Sequence, residues 1–202
     1  MRKRTILPLV AALLFLLPIP VPADAADSPR AIVERLNDML LQVMKNAAQL
    51  EFQGRYDVLA PLLERSFAFA EMTRIAAGQH WSRLDQTQRD RLVERFTQMS
   101  IATFAARFDG YSGERFEILG EDEMPRGRAL VRSRIVRPSS ETVPLNYVFA
   151  DVNGDWRIVD VYLKGTISEL ATYRSEFVSV LGREGFDELI RRIDDKIAKL
   201  RS

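Results

Sequence analysis

Residues 156–163, WRIVDVYL, alternate as a strand does and carry one aspartate, Asp160, in their middle. A carboxylate among apolar neighbours is costly unless something hydrogen-bonds it. With a raised pKa it would serve as a general base. Tied to a tyrosine, an arginine or a backbone N–H, it would instead be part of a structural frame. Tyr147 is a candidate donor. No second carboxylate or histidine lies at useful spacing, which weighs toward the frame. The single histidine, His80, sits in Gly78-Gln79-His80-Trp81, just past a helix end, where the helix dipole favours it as a surface residue. One histidine and no cysteine exclude most hydrolytic triads, all disulfides and the usual zinc sites. No catalytic set, metal site or cofactor is expected.

The elements that would position Asp160 begin after a leader. Arg2, Lys3 and Arg4 precede an apolar run from Ile6 to Val21, and Ala23-Asp24-Ala25 offers small residues to a signal peptidase. This pattern reads as a secretory signal peptide over residues 1–25, with an uncleaved anchor as the alternative. Pro8, Pro18 and Pro20 argue against a long spanning helix. Three of the 29 Lys and Arg and one of the 28 Asp and Glu fall in the leader, so residues 26–202 are formally −1. That balance, with no basic block, speaks against nucleic-acid binding. Residues 26–202 suit one domain with a core of its own.

Ser28-Pro29 reads as a helix start. Ile32, Leu36, Met39, Leu40, Val43, Ala47 and Leu50 recur at helical spacing until Gly54. A second helix is expected from Val58 to Ala77, stopping at Gly78. Asp85 with Gln88 resembles a capping box, opening a long helix with Leu92, Phe96, Met99, Thr103 and Phe104 on one side. The period then changes to two. Arg115–Leu119, Ala129–Arg137, Val143–Phe149 and Trp156–Leu163 alternate, the last two joined by Asn153-Gly154. Gly165 ends the last strand, and Thr166 with Glu169 reads as a capping box for a helix lined by Leu170, Phe177 and Leu181. A final helix, Glu184–Leu200, has a narrow stripe of Phe186, Ile190, Ile193 and Ile197. Helices, then about four antiparallel strands, then helices make an α+β fold.

A two-residue Asn-Gly turn sets the register: Phe149 opposite Ile158, Tyr147 opposite Asp160, Leu145 opposite Tyr162. One face then carries Leu145, Tyr147, Phe149, Ile158 and Tyr162, with Asp160 among them. The other face, Val148, Val159, Val161 and Leu163, is also apolar. A sheet apolar on both faces is covered on both or lines a cavity on one. Phe96, Met99 and Phe104 could face such a cavity, though the same residue types would build an ordinary core. Arg132 and Arg134 read as solvated.

Trp156, Asp160-Val161, Gly165, Ser168, Tyr173-Arg174, Phe177 and Gly185 with Leu189-Ile190, preceded by Gly78-x-x-Trp81 and Gln88 with Phe96, resemble the MlaC family of periplasmic phospholipid-binding proteins. The resemblance spans about residues 30–200. The Gly165–Ser168 step is one residue longer than usual and looks like the hopanoid-associated HpnM branch. The resemblance implies a monomeric periplasmic carrier whose helices and curved sheet enclose an apolar cavity. It would shuttle a phospholipid or hopanoid-type lipid between an inner-membrane transporter and an outer-membrane lipoprotein complex. The lipid would lie against Phe96, Met99, Phe104, Val131, Leu145, Tyr147, Phe149, Ile158 and Tyr162. Trp156, Asp160, Gly165, Ser168 and Tyr173 would form the frame. Two other functions stay open: an enzyme on a polycyclic or isoprenoid lipid with Asp160 as base and Tyr147 as partner, or a ligand-free adaptor of a membrane complex.

N-terminal sequencing of material released from the periplasm is expected to begin near Ala26 or Asp27. Recovery solely as a membrane-embedded precursor would contradict the leader.

Overall fold

The computed structural model describes residues 27–201. The expected signal peptide, residues 1–25, lies outside them. The chain runs α1 (Pro29–Lys45), α2 (Ala47–Ser66), α3 (Phe69–Ala77), a 3-10 helix (Gly78–Arg83), α4 (Gln86–Arg107), β1 (Arg115–Met124), β2 (Arg128–Val136), β3 (Thr142–Val152), β4 (Asp155–Leu163), β5 (Ile167–Ser168), α5 (Glu169–Arg183) and α6 (Phe186–Arg201). The strands form one antiparallel meander in the order β1-β2-β3-β4-β5, so the fold is α+β. The fifth strand, two residues long, is too short to read from alternation.

Caps start the helices where the sequence places them. The Ser28 hydroxyl accepts from the Ala31 N–H, with Pro29 in the first turn. Asp85 accepts from the Gln88 N–H at 2.8 Å while the Gln88 side chain accepts from the Asp85 N–H at 3.1 Å, closing the capping box. Other boundaries differ. The first helix stops at Asn46, whose backbone and side-chain amides both donate to the Gln42 carbonyl, and not at Gly54. Gly54 lies inside α2, where an added Cβ would stand 3.2 Å from Leu50 Cβ. The expected 58–77 helix divides at Phe67-Ala68, because the Ala68 N–H is taken by the Ile158 carbonyl of β4 at 2.9 Å. Ser168, not Thr166, caps α5: its hydroxyl accepts from the Ala171 N–H, and Ile167-Ser168 pairs with β4.

The core lies between one face of the sheet and the helices. Val131, Tyr147, Phe149 and Ile158 meet Leu36 and Leu40 of α1, Leu59 and Leu63 of α2, and Leu92, Phe96 and Met99 of α4, all essentially inaccessible to water. The stripe of α6 (Ile190, Ile193, Ile197) packs within the domain, against α4. His80, in the 3-10 helix, rests against Gly182 near the end of α5.

Gly78 ends α3 with φ 56 and ψ −133, a conformation costly for any residue with a Cβ. An added Cβ there would also meet Val178 Cγ2 of α5 at 2.9 Å. Gly78→Ala is expected to destabilise the protein by about 1–3 kcal/mol in urea unfolding. An unchanged midpoint would show that the α3–α5 contact yields freely.

Candidate functional site

The site depends on the β3–β4 hairpin. Asn153 and Gly154 both take positive φ, 59 and 91, as a primed turn requires. The register begins as expected, with Val152 opposite Asp155 and Phe149 opposite Ile158. It then slips by one residue: Val148 pairs with Asp160, Tyr147 with Val161, Asn146 with Tyr162 and Leu145 with Leu163. Val159 is the inserted residue of a β-bulge. A one-residue slip exchanges the faces. Asp160 and Tyr162 therefore leave the face that holds Tyr147, Phe149 and Ile158, and Val161 and Leu163 take their places. This corrects the expected Tyr147–Asp160 and Leu145–Tyr162 pairs. The bulge falls beside Ile158, whose carbonyl is held by Ala68 and which bridges Phe67 in parallel. Nothing in the local pattern of β4 announces that contact.

Asp160 is half-buried and fully engaged. Oδ1 accepts from the Val161 N–H at 2.8 Å and the Leu170 N–H at 3.0 Å, and Oδ2 from the Ser168 hydroxyl at 2.6 Å. Burial raises its pKa, and those three hydrogen bonds oppose the rise. Tyr147 is wholly buried, its hydroxyl has no partner among the described residues, and burial pushes its pKa far up. The pair needed for general-base chemistry is thus not assembled. Among the described residues no cluster of His, Asp or Glu could hold a metal ion.

The sheet also opens between β2 and β3. No Cα partners pair between Val131–Tyr147 and Arg134–Pro144. Side chains bridge the gap: the Asn146 amide oxygen accepts from the Ser133 N–H, and the Ser133 hydroxyl donates to the Leu145 carbonyl. Beside this opening lies a cavity of about 490 Å³. Ile135, Val143, Leu145, Val161 and Leu163 form its sheet wall; Met44, Phe67, Phe69, Met72, Phe104, Phe108 and Tyr173 form its helical wall. The rings touch in series. Phe67 stacks on Phe69 at 5.3 Å and meets Phe104 edge-on at 5.7 Å, and Phe104 stacks on Phe108 at 5.9 Å. Ser100 and Thr103 also line it, but their hydroxyls donate back to the Phe96 and Met99 carbonyls. Tyr173 is buried enough that its pKa is pushed up to about 12. Charge is confined to the rim: Arg107, Asp109, Glu114, Arg137, Lys164 and Glu169.

Of the residues expected to contact lipid, Phe104 and Leu145 line this cavity. Phe96, Met99, Val131, Tyr147, Phe149 and Ile158 pack behind it in the filled core, each at most 1% exposed. Tyr162 is on the opposite face. Of the frame residues, Asp160 and Ser168 are bonded to each other, Gly165 turns with φ 81, and Tyr173 is part of the cavity wall itself. Trp156 lies at the other end of β4, beside Arg35 and Arg65. Sequence reasoning missed Phe67, Phe69 and Phe108. The i, i+4 spacing of Phe104 and Phe108 was a usable signal; Phe67 and Phe69 lie at a helix break, where periodicity lapses.

The family model for MlaC protein matches residues 34–195. This chain belongs to the MlaC family. Among solved structures it resembles a phospholipid-binding protein from Ralstonia solanacearum, in complex with a phospholipid, with a TM-score of 0.74 and 22% identity over 89% of this chain and all of that one. At that identity the likeness is one of fold. No curated protein matches the chain.

The three donors to Asp160 join β4 to the start of α5. Asp160→Asn is expected to lose about 1–3 kcal/mol, because with its oxygen kept on the Val161 and Leu170 N–H groups its NH2 takes the place of Oδ2 and cannot accept from the Ser168 hydroxyl. Its folded-state pKa lies above the ordinary value, so its contribution is greatest below about pH 4 and is lost as pH rises through the raised value. The stability gap between wild type and Asp160→Asn should therefore narrow on going from acid toward neutral pH. A gap that widens instead would mean the hydrogen bonds outweigh burial.

Proposed function

We propose that the protein is a periplasmic lipid carrier that holds acyl chain in the cavity between α4, α5 and the sheet. It would pass lipid between an inner-membrane transporter and an outer-membrane complex. The observation that carries this reading is the cavity's composition: apolar and aromatic walls, hydroxyls turned back on their own helix, and charge at the rim alone. Each methylene brought from a bilayer into water costs about 0.8 kcal/mol. A carrier must therefore replace the bilayer with a dry apolar surface, and it needs no catalytic group. A methylene takes about the room of a liquid water molecule, ~30 Å³, so 490 Å³ holds on the order of one acyl chain. Met44 and Met72, unbranched and adaptable, are placed to yield further room. Family membership and the fold shared with the Ralstonia phospholipid-binding protein support the same reading. No helix of the described residues is long and apolar enough to cross a membrane, as suits a protein that moves between two of them.

Two tryptophan variants test it. Leu145→Trp projects into the cavity. It should keep the melting temperature and lower the lipid that co-purifies, measured by extraction and mass spectrometry. Met99→Trp is directed into filled core and should overpack, costing about 1–3 kcal/mol. Unchanged lipid in a stable Leu145→Trp protein would place the ligand elsewhere. Turnover of a lipid by the wild type, lost in Asp160→Asn, would establish the enzyme instead.

A further inference from the structure

The rim of the cavity carries six charged residues, three of each sign. Most are already occupied. Arg107 of α4 pairs with Glu169 of α5 at 3.3 Å. Arg137 pairs with Glu141 at 3.0 Å, and Glu114 accepts from the Ser112 N–H. Lys164 and Asp109 have no partner among the described residues. One free cation and one free carboxylate thus stand at the mouth, Lys164 on the β4–β5 turn and Asp109 on the loop after α4.

Backbone geometry marks Lys164 independently. Among the described residues five non-glycines take positive φ, and Lys164, at φ 51, is the one of these that lines the cavity. It is followed by Gly165 at φ 81, and the Thr166 N–H closes the turn on the Leu163 carbonyl. Asn, Asp or Gly would sit in that first position at lower cost than lysine. A side chain kept against its local preference, at the edge of a binding cavity, is where strain most often serves function.

We infer that Lys164 and Asp109 form a headgroup subsite for a zwitterionic lipid, the ammonium of Lys164 meeting the phosphate and the carboxylate of Asp109 meeting the primary amine. The inference rests on the carrier reading above. Arg107 and Arg137 are each offset by a glutamate and Glu114 adds one more negative charge, so the mouth offers no surplus positive charge to an anionic headgroup. A phosphate carrying its own amine satisfies both free groups at once; one carrying glycerol offers Asp109 hydroxyls but no cation to pair with.

The test is competitive loading. Delipidated protein is incubated with vesicles of phosphatidylethanolamine and phosphatidylglycerol containing a minor share of diacylglycerol. Bound lipid is then extracted and quantified. Wild type should enrich phosphatidylethanolamine over phosphatidylglycerol by about threefold relative to the vesicle, the size of one exposed charge pair. Asp109→Asn should erase that preference. Lys164→Asn, which suits the left-handed turn, should melt no lower than wild type yet shift loading from both phospholipids toward diacylglycerol. Wild type that loads lipid in the vesicle's own proportions, or variants that load as wild type does, would overturn the subsite while leaving the carrier standing. Wild type that takes up no lipid at all would overturn both.

Discussion

A carboxylate withdrawn from water has to be solvated by something else, and for Asp160 that is the backbone and hydroxyl of the elements that follow it. Its two oxygens gather the Val161 and Leu170 N–H groups and the Ser168 hydroxyl. The Ser168 hydroxyl, while donating to Asp160, accepts from the Ala171 N–H. The first turn of α5 is therefore capped by Ser168 and sewn to β4 through Asp160. An anion at a helix N-terminus is also favoured by the helix dipole. What hangs on this knot is the direction of α5, which carries Glu169 to the rim and Tyr173 to the cavity wall, and sets Phe177 behind them edge-on to Phe96 at 5.9 Å.

The bulge at Val159 makes the knot geometrically available. With an unbroken register Asp160 would point into the core beside Tyr147, far from the start of α5. The inserted residue turns it outward and brings Val161 and Leu163 inward, converting the last turn of β4 into cavity wall. The cause lies about 90 residues earlier in the chain, in the helix break that offers the Ala68 N–H to the Ile158 carbonyl. Asp160 and Ser168 thus fix the start of α5 and, through it, the Tyr173 side of the cavity wall.

This explains what the sequence disclosed and what it withheld. Caps at Ser28 and Asp85, the Asn153-Gly154 turn, the switch of period from helix to strand and the α+β order are local signals, and each appears in the structure. Asp160 was legible as a residue needing partners, because an aspartate in an apolar strand demands them. The identity of those partners was not, since an alternating strand gives no sign of a bulge imposed by a distant N–H. Phe96, Met99, Val131, Tyr147, Phe149 and Ile158 illustrate the same limit. Apolar periodicity finds the face of an element that leaves water but does not say whether that face meets a neighbour or a space. Phe104 and Leu145 have the same sequence signature as these six, yet they stand at the edge where the helices diverge from the sheet.

The size of that space is itself an argument about the chain. Empty volume in a protein core costs roughly 24 cal/mol per Å³. A dry void of about 490 Å³ would then cost on the order of 10 kcal/mol, as much as the whole stability of a typical domain. Such a void persists only if something fills it, or if it opens to water. This cavity does open, through a rim whose charges are mostly paired with each other, while its walls offer water almost nothing to bond. The hydroxyls that might have held water, Ser100 and Thr103, are committed to carbonyls one turn back. Both states without ligand are therefore poor, one for lack of contacts and the other for lack of hydrogen bonds. An acyl chain would relieve both deficits together, supplying contacts to Phe67, Phe69, Phe104 and Phe108 while asking for no polar partner. On the proposed carrier reading, the cavity is a part of the core whose missing side chains are supplied from outside.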